Sequence, residues 1–391
     1  MNVHVPMTVK CACVVGTRPE IIKMAPIVRR LLQAEWATCD LITTGQHNGL
    51  LTKALADFGL KPDFSIPHEP ENKNLASVLA TLVAKLDAHF EQLKPNCVIA
   101  QGDTTSVLAA SLAAFYRQIP FIHVEAGLRT NDMSAPFPEE FHRRSIAAAT
   151  FMHCAPTMAA AANLRNENIP TERIVVSGNT VIDALLETAV ENPAAPRDFP
   201  SVPRPILLTA HRRENFGDRL RHAFAGIRTF VEEHDDTAVF FPVHVNPTAR
   251  ALAHEMLSGH PRIVLSEPVS YSQIVGAMQR SWLVVTDSGG LQEEAPALGK
   301  PVFVLRDVTE RPEAVEAGVV RVIGTSESQV LNALKKLHRD EKAYRRMARP
   351  VFPYGDGRAA DRIVDGLRER IVPDANVSVL SRVLQAVGRG G

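Results

Sequence analysis

The stretch that most constrains this chain is Val284-Val285-Thr286-Asp287-Ser288-Gly289-Gly290-Leu291-Gln292-Glu293-Glu294. A β-branched run closes a buried strand, breaks at a small-residue turn, and reads on as a helix to Leu298. Such a turn exposes backbone N–H groups at a helix N-terminus. Glycine lets an anion approach them closely, and the helix dipole favours negative charge there. Gln292, Glu293 and Glu294 fall in the first helical turn on this reading, where a carboxylate can accept the hydroxyls of a sugar beside the anion. Taken alone, Ser288-Gly289-Gly290 reads more readily as an ordinary βα turn. The odds change because the chain repeats the arrangement elsewhere with cations and carboxylates in the loops.

The first strand, 9–15, is almost continuously apolar, as expected when both faces of a parallel sheet are covered. It ends in Gly16-Thr17-Arg18-Pro19-Glu20, with Pro19 suited to the first turn of a helix. Further strands are expected at 41–44, 97–100, 121–124 and 174–176, with an amphipathic helix over 75–93 and another over 180–188. Each loop of interest lies at a strand's C-terminal end, which is the signature of a doubly wound α/β sheet. Residues 192–205 carry five prolines and read as a hinge. A second α/β set then begins at 206–209 and continues through 239–244, 284–286 and 301–305. The expected organisation is a Rossmann-like domain over 1–190, a second over 191–358, and a helix near 359–373 that crosses back to complete the first. The tail 374–391 has some apolar periodicity and no assignable role.

At 391 residues the chain suits two domains of this size, and 43 Lys plus Arg balance 43 Asp plus Glu. No whole-chain field argues for nucleic acid or an anionic membrane, so any anion site has to be local. No run is long enough for a membrane span, and the start does not read as a signal peptide. The five cysteines lack the spacing of a zinc site or redox pair, and Cys11 and Cys13 read as core residues of the first strand. A reduced, cytoplasmic protein is the expectation. No Gly-x-Gly-x-x-Gly or P-loop is present, and the 14 histidines form no metal-ligand pair with an acid at helical spacing.

Arg18 and Lys23 can both reach an anion over the first loop, although two solvated surface cations would look the same. Asp103, Glu125 and Glu139 stand at or just beyond strand ends on the rim of the first sheet. Asp103 before Thr104-Thr105-Ser106 is an ordinary helix N-cap on the simplest reading. Glu125, followed by Gly127 and Arg129, suits an ion pair or a site, and Glu139 opens a helix where an acid is favoured anyway. Together the three make an acid/base set, since crowded carboxylates raise one another's pKa. His211, beside Arg212 and Arg213, is expected to have a lowered pKa and to donate to a phosphate or shuttle a proton. His244 ends the next strand, and Arg311 lies on the same rim with Glu310 or Glu313 as its simplest partner.

In order along residues 9–370, these stretches resemble the non-hydrolysing UDP-N-acetylglucosamine 2-epimerases. The matching runs are Gly16 to Glu20, Ile22 to Pro26, Gly102 to Thr105, His123 to Thr130, Pro138 to Glu140 and Gly178 to Asp183. They continue with His211 to Glu214, Pro242 to His244, Thr286 to Glu294, Gly299 to Pro301, Thr309 to Glu313 and Tyr354 to Gly357. The resemblance implies a GT-B-like pair of Rossmann-like domains with a UDP-sugar in the cleft between them. It implies inversion at C2 of UDP-GlcNAc to UDP-ManNAc, by loss and re-addition of UDP through a 2-acetamidoglucal. Asp103, Glu125 and Glu139 would then be the acid/base residues and His211 would serve the departing diphosphate. Arg18, Lys23, His244, Ser288, Gly289, Gly290, Glu294 and Arg311 would hold substrate, with Glu294 on the ribose. No metal or cofactor is required, and a homodimer feeding a cell-envelope polysaccharide pathway is implied. The loops 45–50 and 69–74 depart from the family pattern where a second, activating UDP-GlcNAc site would form. A hydrolysing or acetamido-uronate-specific relative, a GT-B glycosyltransferase and an inactive UDP-sugar sensor are the rival readings.

Overall fold

The computed structural model describes residues 8–45, 48–67, 74–212, 215–244 and 246–372, with 48–50 by their backbone only. Gln46, His47, residues 69–73, Arg213, Glu214 and the tail from 373 lie outside the described residues, so the loop departures and the tail noted above have no structural counterpart here.

The chain forms two compact units. One runs to Ala184 and takes up the chain again from Gly355; the other is Leu185–Tyr354. In the first, β1 (Val9–Val15), β2 (Ala37–Thr43), β3 (Phe64–Ser65), β4 (Cys97–Gln101), β5 (Phe121–Val124), β6 (Met152–Ala155) and β7 (Ile174–Val176) make one sheet in the order β3-β2-β1-β4-β5-β6-β7. Every pairing is parallel. The apolar run of β1 is explained by its two buried faces: Cys11, Cys13 and Val15 enter one core, Ala12 and Val14 the other. All five cysteines are free, and Cys11 and Cys13 are fully buried.

In the second unit β8 (Arg204–Thr209), β9 (Thr237–Pro242), β10 (Ile263–Ser266), β11 (Leu283–Thr286), β12 (Val302–Val304) and β13 (Val320–Val322) form a parallel sheet in the order β10-β9-β8-β11-β12-β13. Strand order therefore reverses between β1 and β4 in one sheet and between β8 and β11 in the other. Ligands of open α/β sheets bind outside the strand C-termini at such switch points. The flanking loops carry Arg18 and Asp103 in the first unit, and His211 and Ser288 in the second.

The returning helix, Ala359–Ile371, packs Ile363, Val364, Leu367 and Ile371 into the first unit's core. Its first turn is capped at long range, because the Asp183 carboxylate accepts from Ala359 N at 3.1 Å and Ala360 N at 2.8 Å. The division between units falls inside the helix Thr180–Val190, earlier than the proline-rich segment. That segment lies against the helix Tyr271–Arg280: Arg280 donates to the Pro193 carbonyl at 3.0 Å, and Gly276 leaves no room for a side chain beside it. Among the described residues no helix is long and apolar enough to cross a membrane.

Candidate active site

In the first unit, Thr17 caps the helix Arg18–Gln33 in a capping box with Glu20. The buried Glu20 carboxylate accepts from Gly16 N, Thr17 N and the Thr104 hydroxyl, so it joins the β1 loop to the β4 loop. Burial pushes its pKa up to about 7. Arg18 is half-buried at the head of this helix. Lys23 is not a solvated cation: it forms an ion pair with Glu125 from 102 residues away. Glu125 follows β5 in the left-handed region at φ 64 and also accepts from Asn179 Nδ2 at 3.1 Å. Arg129 takes a different partner and forks onto Glu167 through two 2.7 Å bonds.

Asp103 is not a helix N-cap. Thr104 holds that position for the helix Thr105–Tyr116, and the Asp103 carboxylate instead accepts from Arg143 Nε at 2.8 Å. The register Gln101↔Val124 sets Asp103 and Glu125 just beyond neighbouring strand ends. Gly102 stands at φ 90, its carbonyl accepting from His123 Nε2 at 2.7 Å, while the Asp103 carbonyl accepts from His142 Nδ1 at 2.7 Å. Burial pushes His123 down to about 4 and His153, beside it on β6, down to about 3. Glu139 opens the helix Glu139–Ala149, and its Oε2 is buried with no hydrogen-bond partner among the described residues. The next residue, Glu140, is fully buried and accepts from Thr130 N, Asn131 N and Arg143. His142 and Arg143 escaped the sequence reading. Their spacing of three and four from Glu139, one helical turn, is the signal that places them on its face.

In the second unit, Thr209 and Thr286 join their hydroxyls at 2.6 Å across β8 and β11. Asp287, fully buried, accepts from His211 N at 3.0 Å, Arg212 N at 3.0 Å and Asn215 Nδ2 at 3.1 Å. It also faces His211 Nδ1 at 3.3 Å. The His211 ring stacks on His244 at 5.4 Å, and His244 Nδ1 accepts from Asn246 N at 3.1 Å. The His211 pKa is lowered as expected, but the chief cause is burial; Asp287 opposes the shift, and His244 and Arg212 add smaller contributions. Burial lowers His244 as well.

Ser288 is the N-cap of the helix Gly289–Ala297 and makes no side-chain cap bond. A Cβ on Gly289 would stand 3.5 Å from Arg311 Nη2 and 3.6 Å from Arg212 Nη2, so two guanidiniums flank the open helix N-terminus. Because the helix starts at Gly289, Glu293 and Glu294 lie past its first turn, contrary to the sequence reading. Their carboxylates answer to side chains instead of the dipole. Glu293 pairs with Arg311, whose contact with Glu310 is longer at 3.7 Å. Glu294 accepts from Tyr271 OH at 2.6 Å, and its Oε2 lies 3.6 Å from where a Gly290 Cβ would stand. Among the described residues no group of three His, Cys, Asp or Glu could hold a metal ion.

A family model described as UDP-N-acetylglucosamine 2-epimerase matches residues 29–368. The chain belongs to the UDP-N-acetylglucosamine 2-epimerase family. This epimerase is 44% identical over 359 residues to the UDP-N-acetylglucosamine 2-epimerase of Bacillus subtilis, covering 92% of this chain and 94% of that relative. It is 41% identical over 376 residues to that of Escherichia coli K12, covering 92% of this chain and 98% of the relative. The crystal structure of UDP-GlcNAc 2-epimerase from Neisseria meningitidis bound to UDP-GlcNAc superposes with a TM-score of 0.87 at 38% identity, covering 92% of this chain and all of that one. The two doubly wound parallel sheets, which the sequence alternation indicated, are those of the GT-B-like α/β fold that the resemblance implied.

Proposed function

We propose that this epimerase inverts C2 of UDP-N-acetylglucosamine to give UDP-N-acetylmannosamine, without hydrolysis, by eliminating and re-adding UDP. A carboxylate takes the C2 proton as the C1–O bond breaks. The bonding pair leaves with UDP, and a C1=C2 double bond forms the 2-acetamidoglucal. A proton is then delivered to the other face of C2, and the UDP oxygen attacks C1. Asp103, Glu125 and Glu139 supply the acid/base groups, and His211 serves the departing diphosphate.

The observation that carries this reading is Glu139: a carboxylate oxygen buried without a partner, one helical turn from the residues that grip Asp103. An acid left unsatisfied on a rim already holding two others suits proton transfer to substrate better than it suits stability. The second unit supports the same chemistry. A diphosphate that leaves and returns needs fixed cations and amides, and Arg212, Arg311 and the N–H groups after Ser288 provide them. Gly289 and Gly290 admit the phosphates to that backbone, Glu294 takes ribose hydroxyls, and Arg18 and His244 complete the anion contacts. Lys23, paired with Glu125, is assigned to that carboxylate more than to the diphosphate.

A proton NMR time course with UDP-GlcNAc in D₂O tests the reaction. Deuterium at C2 accompanying UDP-ManNAc is the expected result. Free N-acetylmannosamine would mean a hydrolysing enzyme, and intact UDP binding without exchange would mean another sugar nucleotide.

We further propose a cytoplasmic homodimer. Five free cysteines suit a reducing compartment. Phe115 and Tyr116, 54% and 71% exposed at the end of the helix Thr105–Tyr116, suit burial against a second copy. Light scattering giving a monomer mass at micromolar concentration would refute the dimer.

A further inference from the structure

Gly102 carries Asp103 out of β4 through a backbone turn at φ 90; its N–H donates to Val124 O at 3.0 Å, but on its Cβ side a side chain would meet no atom within 4 Å. A glycine with no side chain to pack does not by itself fix the residue after it. The position of Asp103 has to be set by hydrogen bonds, and the two carbonyls on either side of its amide-to-carbonyl span are both taken by histidine rings. His123, on β5, bonds to Gly102 O, and His142, on the helix Glu139–Ala149, bonds to Asp103 O, each at 2.7 Å. Both rings are buried, at 1% and 5% exposure, so water does not compete for these carbonyls.

We propose that His123 and His142 are positioning residues for Asp103, each donating a ring N–H to one of two consecutive carbonyls and so fixing the peptide that carries the carboxylate. The tautomers follow from the acceptors. A carbonyl only accepts, so His123 carries its proton on Nε2 and His142 on Nδ1. Arg143 fixes the third point through the carboxylate itself. Because His142 and Arg143 belong to the helix that Glu139 begins, one element sets Asp103 and Glu139 relative to each other. A loose Asp103 would spoil a proton transfer that requires both faces of one carbon to be served, and displacements near 1 Å cost about 100-fold in such steps. The catalytic consequence rests on the reading that Asp103 transfers a proton at C2; the clamp itself does not.

The wild-type protein tests the clamp directly. Nitrogen-15 spectra of the histidine rings at neutral pH are expected to show protonated Nδ1 at His142 and protonated Nε2 at His123, and the opposite tautomers would overturn the proposal. Kinetics test its purpose with paired variants. Asparagine at 142 keeps a donor near the place of Nδ1 and glutamine at 123 keeps one near Nε2, whereas leucine at either site keeps none. His142→Leu and His123→Leu are expected to lose about 30-fold to 100-fold in kcat for C2 exchange, with KM for UDP-GlcNAc and the Kd of UDP within about twofold of wild type. His142→Asn and His123→Gln are expected to recover most of that loss. Folded leucine variants that keep wild-type kcat, or amide variants as slow as leucine, would overturn it. If a leucine variant does not fold, the amide variants and ring spectra decide. If wild-type protein exchanges no deuterium into UDP-GlcNAc, the reaction is misread, and the ring spectra still decide whether the clamp exists.

Discussion

The carboxylate of Asp287, at the end of β11, holds His211, at the end of β8, by both backbone and ring: it accepts from His211 N at 3.0 Å and faces Nδ1 at 3.3 Å. Arg212 N and Asn215 Nδ2 complete its shell. Replacing a fully buried carboxylate met by this many donors leaves each donor unpaired. Asp287→Asn turns one acceptor into a donor among donors. It is expected to cost about 2–4 kcal/mol in urea unfolding and to weaken UDP binding by releasing Arg212. Unchanged stability would mean that the loop after β8 is held by something else.

Gly289 separates folding from binding. It sits in the first turn of its helix at an ordinary φ, and a methyl there would meet only the ends of two guanidiniums at 3.5 and 3.6 Å. Alanine is preferred to glycine in helices by up to about 1 kcal/mol. Gly289→Ala is therefore expected to melt no lower than wild type. The same methyl occupies the approach of a phosphate to the helix N-terminus, so UDP affinity measured by calorimetry is expected to fall about tenfold or more, equivalent to about 1.4 kcal/mol. Wild-type affinity in that variant would remove the helix N-terminus from the binding site.

Three buried groups set the response to acid. His123 and His153 have folded pKa values of about 4 and about 3, below the ordinary 6.5. As pH falls below 6.5 the unfolded chain takes protons that these rings refuse, so stability falls. Glu20 acts oppositely, because its folded value of about 7 exceeds the ordinary 4.5 and the native state is favoured as pH falls through that window. Between pH 6.5 and 4.5 two histidines are offset by one carboxyl, leaving one net proton and a loss of about 1.4 kcal/mol per pH unit. Below 4.5 Glu20 no longer offsets, and the slope steepens to about twice that until His123 titrates. His211, lowered by burial, adds in the direction of the other histidines. His153→Leu removes one of these protons together with a ring whose two nitrogens lack partners. The slope of stability in urea unfolding from pH 6.5 to 4.5 is expected to fall by about 1.4 kcal/mol per pH unit in that variant, leaving the smaller slope that His211 contributes. A slope equal to wild type would mean that His153 is not held neutral by the fold.

The sheets were legible because buried parallel strands write long apolar runs, and most candidate site residues were picked out because they sit where those runs stop. Asp103, Glu125, His211 and Ser288 stand just past such runs, whereas Glu139 opens the helix Glu139–Ala149, well beyond the end of β5. Partnerships were not legible. Lys23 meets Glu125 because β1 lies beside β4 and β4 beside β5, an order that periodicity does not contain. Arg311 keeps a 3.7 Å contact with its neighbour Glu310 but makes its closer ion pair with Glu293 on another helix, which sequence spacing does not contain either. The N-cap reading of Asp103 failed because a local rule competes with a long-range cation, and Arg143 prevailed.

Asp287 is fully buried and Glu139 has one buried carboxylate oxygen, and the two are expected to respond to amide replacement in opposite ways. Asp287 is surrounded by donors that lose their acceptor when it is replaced. Glu139 has a buried oxygen that no donor meets among the described residues, so replacing that oxygen breaks no bond there. Glu139→Gln is expected to leave the urea midpoint unchanged or slightly raised, because a neutral amide is no harder to bury than an unpaired carboxylate. If Glu139 gives or takes the C2 proton, the same change removes about 100-fold to 10,000-fold of the deuterium exchange at C2, the usual contribution of a positioned acid or base. UDP binding is expected to persist, since most of the groups proposed to hold the diphosphate belong to the other unit. A variant that unfolds earlier and still exchanges at the wild-type rate would make Glu139 a structural acid and return the proton transfer to Asp103 and Glu125.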